Sequence, residues 1–232
     1  MRLILLSVLL SALYTGLPAQ SSTSVFNLDV QAGALITDAT LSEDRSDKYG
    51  GGEQYLKGKP GYFAYLGALI PATELISVNA GFFYQRQVLQ HRVEGRLRFG
   101  GDIVDGTTSF VAVDERIKFV GFRAGLNLMT RSRKFIVTPA FSYGVVLASE
   151  LEPILYIQGT EKFSFGDAQP SEFSKQNSSA SLAMFYRIIK GERFKLYLGG
   201  EAALSLVKDD FAFTGVTAHR RTFAITTRMI IF

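Results

Sequence analysis

The chain has 232 residues, a formal net charge of +4 and no cysteine. Absence of cysteine excludes a disulfide framework, a thiolate metal site and a cysteine-borne lipid anchor. The mild positive charge is spread thinly, with no lysine/arginine-rich block, which argues against nucleic acid as a partner.

Residues 1–19 read MRLILLSVLLSALYTGLPA, with one cation at Arg2, an apolar run and then small residues with Pro18. That is the layout of a secretory signal cleaved after Ala19. The apolar run falls short of the ~20 residues a spanning helix needs, so an anchor is the weaker reading. Export would remove Arg2, lower the charge to +3 and leave residues 20–232 as one domain. No later run is long enough for a transmembrane helix. Yet the apolar fraction is 47%, with 19 phenylalanines and 10 tyrosines. An exported, aromatic-rich chain of this kind is a secreted β-protein or a membrane β-barrel, whose strands signal themselves by alternation alone.

Alternation recurs from end to end. Phe26, Leu28, Val30, Ala32, Ala34 and Ile36 share one face, with Asn27, Asp29, Gln31 and Gly33 on the other. Residues 61–70 are apolar on both faces, so their inward side is ambiguous. Ile76, Val78, Ala80, Phe82 and Tyr84 oppose Ser77, Asn79, Gly81, Gln85 and Gln87. In the fourth stretch Phe122, Ala124, Leu126 and Leu128 oppose Arg123, Gly125 and Asn127. Upstream, Val111, Val113, Ile117 and Phe119 fall on the other parity, which suggests a bulge near Gly121. The fifth sets Phe135, Val137, Phe141, Tyr143, Val145 and Leu147 against Thr138, Ala140, Ser142 and Gly144. The sixth sets Ala180, Leu182, Met184, Tyr186 and Ile188 against Ser179, Ser181 and Arg187. The seventh sets Phe194, Leu196, Leu198, Ala202, Leu204 and Leu206 against Lys195, Tyr197, Gly199, Glu201 and Ser205. The eighth sets Phe223, Ile225, Met229 and Ile231 against Thr222, Ala224, Thr226 and Arg228.

Connections alternate in length. Residues 38–60, 89–109, 148–177 and 208–217 are long and polar, whereas those near 71–74, 131–133 and 190–192 are tight turns. A soluble lipocalin-like barrel has no reason to segregate them so. An outer-membrane barrel does, with short periplasmic turns and long external loops. Each stretch offers roughly the 9–11 residues a tilted strand needs to cross the hydrocarbon. With no water there to satisfy the backbone, the sheet must close, so the last strand pairs with the first. The predicted fold is therefore an all-β, eight-stranded antiparallel up-and-down transmembrane barrel with both ends of the mature chain on the periplasmic side.

Signal ending LPAQ, eight amphipathic strands, alternating loop lengths and the terminal Phe232 resemble the small outer-membrane β-barrels of Gram-negative bacteria. The AQ context and the size are more like the OmpA-like or PorT-like barrels of Bacteroidota, over the whole mature chain. The resemblance implies that Phe232 and Ile230 belong to the signal read by the barrel-assembly machinery. It departs from the pattern at Arg228, since Phe223, Ile225, Met229 and Ile231 are on the opposite parity from Phe232.

Candidate chemistry is sparse. His219 has Asp209 and Asp210 across its hairpin, but VTAHRR matches no catalytic motif and no serine adjoins it; His219 and His91 read as solvated loop histidines. Gly50–Gly52 lack the lysine and helix of a phosphate loop. Glu161, Asp167 and Glu172 do not have calcium-loop spacing, and no cofactor is indicated. Tyr62, Tyr84, Tyr143, Tyr186 and Tyr197 suit an interface girdle or the lumen. The stronger constellation is the inward parity, which carries Asp29, Arg123, Arg187, Lys195, Glu201 and Arg228. Arg123 and Glu201 lie at similar heights, and closure makes the strands of Asp29 and Arg228 neighbours. Charges inside so narrow a barrel must pair or stay hydrated. The expected protein is a non-enzymatic scaffold in the cell outer membrane, meeting lipid, lipopolysaccharide or another envelope protein through its loops. The alternative is a narrow channel for small solutes or ions gated by those pairs.

Overall fold

Strict alternation over so many residues selects strand over helix, because only a period of two keeps every second side chain on one face. The computed structural model describes residues 26–41, 54–93, 97–99, 102–104, 110–157, 160–164, 169–170, 176–207, 209–211 and 216–232. The expected signal and Gly50–Gly52 lie outside them. Eight long strands form: β1 (Asn27–Leu41), β2 (Gln54–Pro71), β3 (Ile76–Val93), β4 (Phe110–Met129), β5 (Phe135–Ile157), β6 (Gln176–Lys190), β7 (Phe194–Ser205) and β8 (Val216–Ile231). Each pairs antiparallel with the next in the chain, and β8 returns to β1 from Leu28↔Ile231 to Leu41↔Ala218. The sheet is a closed eight-stranded barrel without a free edge.

Three tight turns join β2–β3, β4–β5 and β6–β7 at one end. In the first, the Ala72 and Thr73 N–H groups both donate to the Ile76 carbonyl at 2.9 Å. The second closes through the Arg133 N–H on the Thr130 carbonyl at 2.7 Å, with Arg133 at φ 53. Four long connections leave from the other end. Here the strands run further than the sequence suggests. β5 is 23 residues long, and short strands within the connections add pairing: Thr160–Ser164 and Gln169–Pro170 on β5, and Asp209–Phe211 on β8. Nothing outside the hydrocarbon stops a hairpin ladder from continuing, so the 9–11 residue crossing is only part of each strand.

The bulge lies elsewhere than expected. β3 and β4 pair without a break from Ile76↔Leu128 to Val93↔Val111, straight through Gly121. The register slips instead on β5, between Lys118↔Ala148 and Phe119↔Val146, leaving Leu147 as the extra residue. Val113, Ile117 and Phe119 therefore keep the parity of Arg123 and are buried inside the barrel. They belong there because that part of the lumen holds an apolar cluster, with Ile117 and Phe119 packing on Ala39, Tyr65, Phe83 and Leu89. A second slip, between Lys59 and Tyr62, falls at Pro60 and Gly61; a bulge tolerates a residue with no N–H to donate.

The ambiguous second stretch resolves with Tyr62, Leu66 and Ile70 outside, and with Phe63, Tyr65 and Leu69 inside. Inward rings fit because glycine faces them. A Cβ on Gly144 would come 2.9 Å from the Phe83 ring, and one on Gly121 would meet the same ring at 2.8 Å and run into the Tyr143 carbonyl oxygen. Gly121→Ala should therefore cost about 1–3 kcal/mol through forced backbone movement, and Gly144→Ala less, since there the ring shifts and the Val120 carbonyl oxygen, 3.1 Å from the new Cβ, gives only slightly. Urea unfolding of the two variants refolded into vesicles reads the difference; equal losses would mean that the sheet, and not Phe83, yields at both sites.

Candidate functional site

Outside, every strand presents exposed large apolar side chains: Leu28 and Ile36 on β1, Leu66 on β2, Phe82 on β3, Leu126 on β4, Phe141 on β5, Leu182 on β6, Leu198 on β7, Ile225 on β8. The belt runs right round the barrel. On β1 it extends over about nine residues, from Leu28 to Ile36, the length a tilted strand needs to cross hydrocarbon (~9–11 residues). Its upper edge is polar: the outward pair above Ile36↔Phe223 is Asp38↔Arg221, and the one above Tyr84↔Val120 is Arg86↔Lys118. Aromatic rings sit at both margins. Tyr62 and Tyr84 have centroids 6.0 Å apart beside Arg86, and Phe135 and Tyr186 are 4.9 Å apart at the turn end. Tyr62, Tyr84, Tyr143 and Tyr186 face outward, whereas Tyr197 is buried inside.

The interior is stacked in layers. At the turn end Leu69, Ile136, Ala183, Phe185, Tyr197 and Ile230 pack into an apolar floor, with Met129 against it. Directly above, Arg228 reaches from β8 to Asp29 on β1, donating from Nε to Oδ1 at 2.9 Å and from Nη2 to Oδ2 at 2.6 Å. Its remaining group, Nη1, donates across the lumen to Asn127 Oδ1 at 2.8 Å and Thr138 Oγ1 at 3.3 Å. Thr138 in turn donates to Asn127 at 2.7 Å, and Gln31 donates to both Asp29 oxygens at 3.3 Å. The guanidinium centre stands 5.2 Å from the Phe185 ring centroid. A fork of five donors suits this task, since two bind a carboxylate side by side while others reach elsewhere. Arg228 and Asp29 are both fully buried.

A second strap lies higher. Arg123 on β4 donates to Glu201 Oε2 on β7 at 2.9 Å, and approaches Ser181 Oγ on β6 at 3.5 Å. Between the straps the Tyr65 hydroxyl, the Asn79 amide and the Thr226 hydroxyl are buried without a protein partner; such atoms are ordinarily met by ordered water. A cavity of about 40 Å³ adjoins Arg123 and Glu201, walled by Leu35, Phe63, Phe83 and Thr222. That holds roughly three or four waters at ~10–15 Å³ each. A third arginine, Arg220, donates to Gln87 Oε1 at 2.5 Å with its guanidinium 4.8 Å over Phe119.

Four of the six inward charged residues singled out from the sequence thus meet as two pairs, Asp29 with Arg228 and Arg123 with Glu201. Arg187 and Lys195 do not join them. They sit beyond the floor at the turn-end mouth, where Lys195 Nζ is 4.1 Å from the Phe232 ring centroid. Ile230 is buried in the floor and Phe232 is half exposed. Arg220, Asn127 and Thr138 are not among the six, although the last two share the inward parity. Arg220 lies in a stretch that reads as loop and becomes strand. His219 Nδ1 donates to the Ser205 carbonyl at 3.1 Å. The strand carrying Asp209 and Asp210 places them opposite Ala218 and Thr217. His91 falls within β3, opposite Val113. Among the described residues no group of three or more His, Asp or Glu side chains could hold a metal ion; Asp167 and Glu172 lie outside those residues.

A soluble monomer does not expose a continuous apolar ring, because patches beyond a few hundred Å² drive association. A closed barrel with such a ring, a polar rim on either side and a filled core is a transmembrane β-barrel of the small outer-membrane kind. Neither a family model nor a curated protein matches the sequence. Solved structures with similar folds include Neisserial surface protein A (NspA), 11% identical, with 88% of this chain and 96% of that chain covered and a TM-score of 0.39. Another is Ail, the attachment invasion locus protein of Yersinia pestis, in complex with the heparin analogue sucrose octasulfate, at 10% identity, 88% and 99% coverage and a TM-score of 0.39. A third is the outer membrane protein OprG from Pseudomonas aeruginosa, at 8% identity, 90% and 98% coverage and a TM-score of 0.36. At such identities no residue role transfers from those proteins to this chain.

Proposed function

We propose that this protein is a non-enzymatic scaffold of the cell outer membrane, its lumen plugged and its long connections turned outward to meet lipopolysaccharide, a surface partner or another envelope complex. One observation carries the reading: the apolar floor of Phe185, Tyr197, Ile230 and their neighbours lies across the lumen beneath a fully buried ion pair. An eight-stranded barrel has just enough interior for its own side chains, and here those side chains fill it. Short turns at one end and long connections at the other support the orientation with turns in the periplasm, and the layout of residues 1–19 supports export. The AQ context after residue 18 supports kinship with the OmpA-like and PorT-like barrels of Bacteroidota, and Phe232 with Ile230 supports recognition by the barrel-assembly machinery.

The competing channel has its own support in the small cavity beside Arg123 and Glu201. Planar-bilayer conductance of the refolded chain separates the two. The scaffold requires silent bilayers for the wild type and for Glu201→Ala, with both proteins folded and heat-modifiable on gels. Discrete steps that change with Glu201→Ala would establish the channel instead.

A further inference from the structure

The outer face of β6, β7 and β8 carries an apolar groove with an arginine at its upper end. Ala202 lies between its direct cross-strand neighbours Leu182 and Phe223, and two residues higher Leu204 lies between Ala180 and Arg221. The small side chains of Ala180 and Ala202 leave a groove of about 470 Å³ between larger neighbours, walled by Leu182, Leu204 and Phe223 and headed by Arg221. It is open, apolar along its length and aligned with the barrel wall. Arg221 stands where the belt ends, level with Asp38, and makes no ion pair with any described residue. Asp38, its direct neighbour on β1, turns Oδ1 to the Ala39 N–H at 2.9 Å and forms no ion pair with it. An arginine on the lipid face is costly at mid-membrane and tolerable near the interface, where its donors face the headgroup layer and suit phosphate oxygens.

We propose that this groove is a binding site for one phosphorylated acyl lipid of the leaflet at the long-connection end, its acyl chain lying along Ala202 between Leu182 and Phe223 and its phosphate held by Arg221. The site is complementary in both parts: an apolar trough, and at its head an exposed guanidinium that makes no ion pair with a described residue. Its occupant is then a fixed lipid, held more tightly than its neighbours in the annulus. The proposal rests on the membrane-spanning reading, and its test separates the two.

The chain contains no tryptophan, so one introduced indole reports from a single place. Ile225→Trp puts it on the outer face of β8, two residues below Phe223 and outside the groove lining. The reporter protein is refolded into phosphatidylcholine vesicles, and quenching by brominated phosphatidic acid is compared with quenching by brominated phosphatidylcholine. The expected result is a several-fold preference for phosphatidic acid. Arg221→Gln brings the preference to unity, and Ala202→Leu, which fills the trough, lowers it while leaving Arg221 in place. Equal quenching by both lipids in the parent reporter overturns the site. A preference untouched by Ala202→Leu overturns the trough as its acyl half. If brominated phosphatidylcholine itself fails to quench, the indole is not in lipid and the membrane reading falls with it.

Discussion

Replacing Arg228 with methionine is expected to destabilise the barrel by about 3–5 kcal/mol, the cost of leaving one member of a buried pair uncompensated. Asp29 has no access to solvent; once Arg228 is gone, only the weaker Gln31 amide contacts at 3.3 Å remain to it. Removing both charges is a different matter. Asp29→Leu with Arg228→Met exchanges the pair for apolar groups of similar size, a change that in other proteins is near neutral or stabilising. Asn127 Oδ1 then keeps the Thr138 hydroxyl at 2.7 Å as a donor, so the cross-lumen bridge loses an arginine without leaving every partner orphaned. The double variant is therefore expected to recover most of the loss. Urea midpoints for the four proteins of this cycle, refolded in vesicles, give the coupling energy directly. If Arg228→Met alone is within 1 kcal/mol of wild type, on the scale of an exposed ion pair (~0–1 kcal/mol), the pair is solvated and not sealed.

Much of this arrangement is written in the alternation. Asp29, Gln31, Asn127, Thr138 and Arg228 stand on one parity of their strands, and closing β8 on β1 brings the two charged ends together. That is legible because a period of two leaves only two faces to choose from, and the apolar face belongs to lipid. Alternation is silent where both faces are apolar. Residues 61–70 are ambiguous because Phe63 and Tyr65 are inside while Tyr62 and Leu66 are outside. Val113, Ile117 and Phe119 suggest a bulge at Gly121 for the same reason: an apolar residue is taken as lipid-facing until the lumen is known to contain an apolar layer. Arg220 is hidden differently. It sits in VTAHRR, whose polar residues read as loop, whereas the β8 ladder carries on past them to Val216. The span of Arg228 is also illegible from spacing, because Asn127 and Thr138 lie across the lumen on strands that do not pair with β8. Side-chain reach across a lumen has no period.

Opening the floor is expected to change the barrel from silent to conducting. Phe185→Ala with Tyr197→Ala removes the two largest floor residues, each fully buried, at a cost of about 3–5 kcal/mol for a ring of this kind. Neighbours cannot fill the space readily. Phe185 lies over Gly199, where even a Cβ would approach the ring to 2.6 Å, and glycine brings no side chain to replace what is lost. The same ring braces Arg228 from 5.2 Å. Without it the guanidinium has water on one side and its hold across the lumen slackens, so the floor and the strap above it loosen together. Planar-bilayer recordings of the double variant should then give small discrete steps, from protein that still shifts on heating. Ile230→Ala, a smaller cut in the same layer, should remain silent and serves where the double variant folds poorly. Steps in Ile230→Ala would place the barrier in the aliphatic contacts. Silence in a folded double variant would move the closure of the lumen from the rings to the arginine straps.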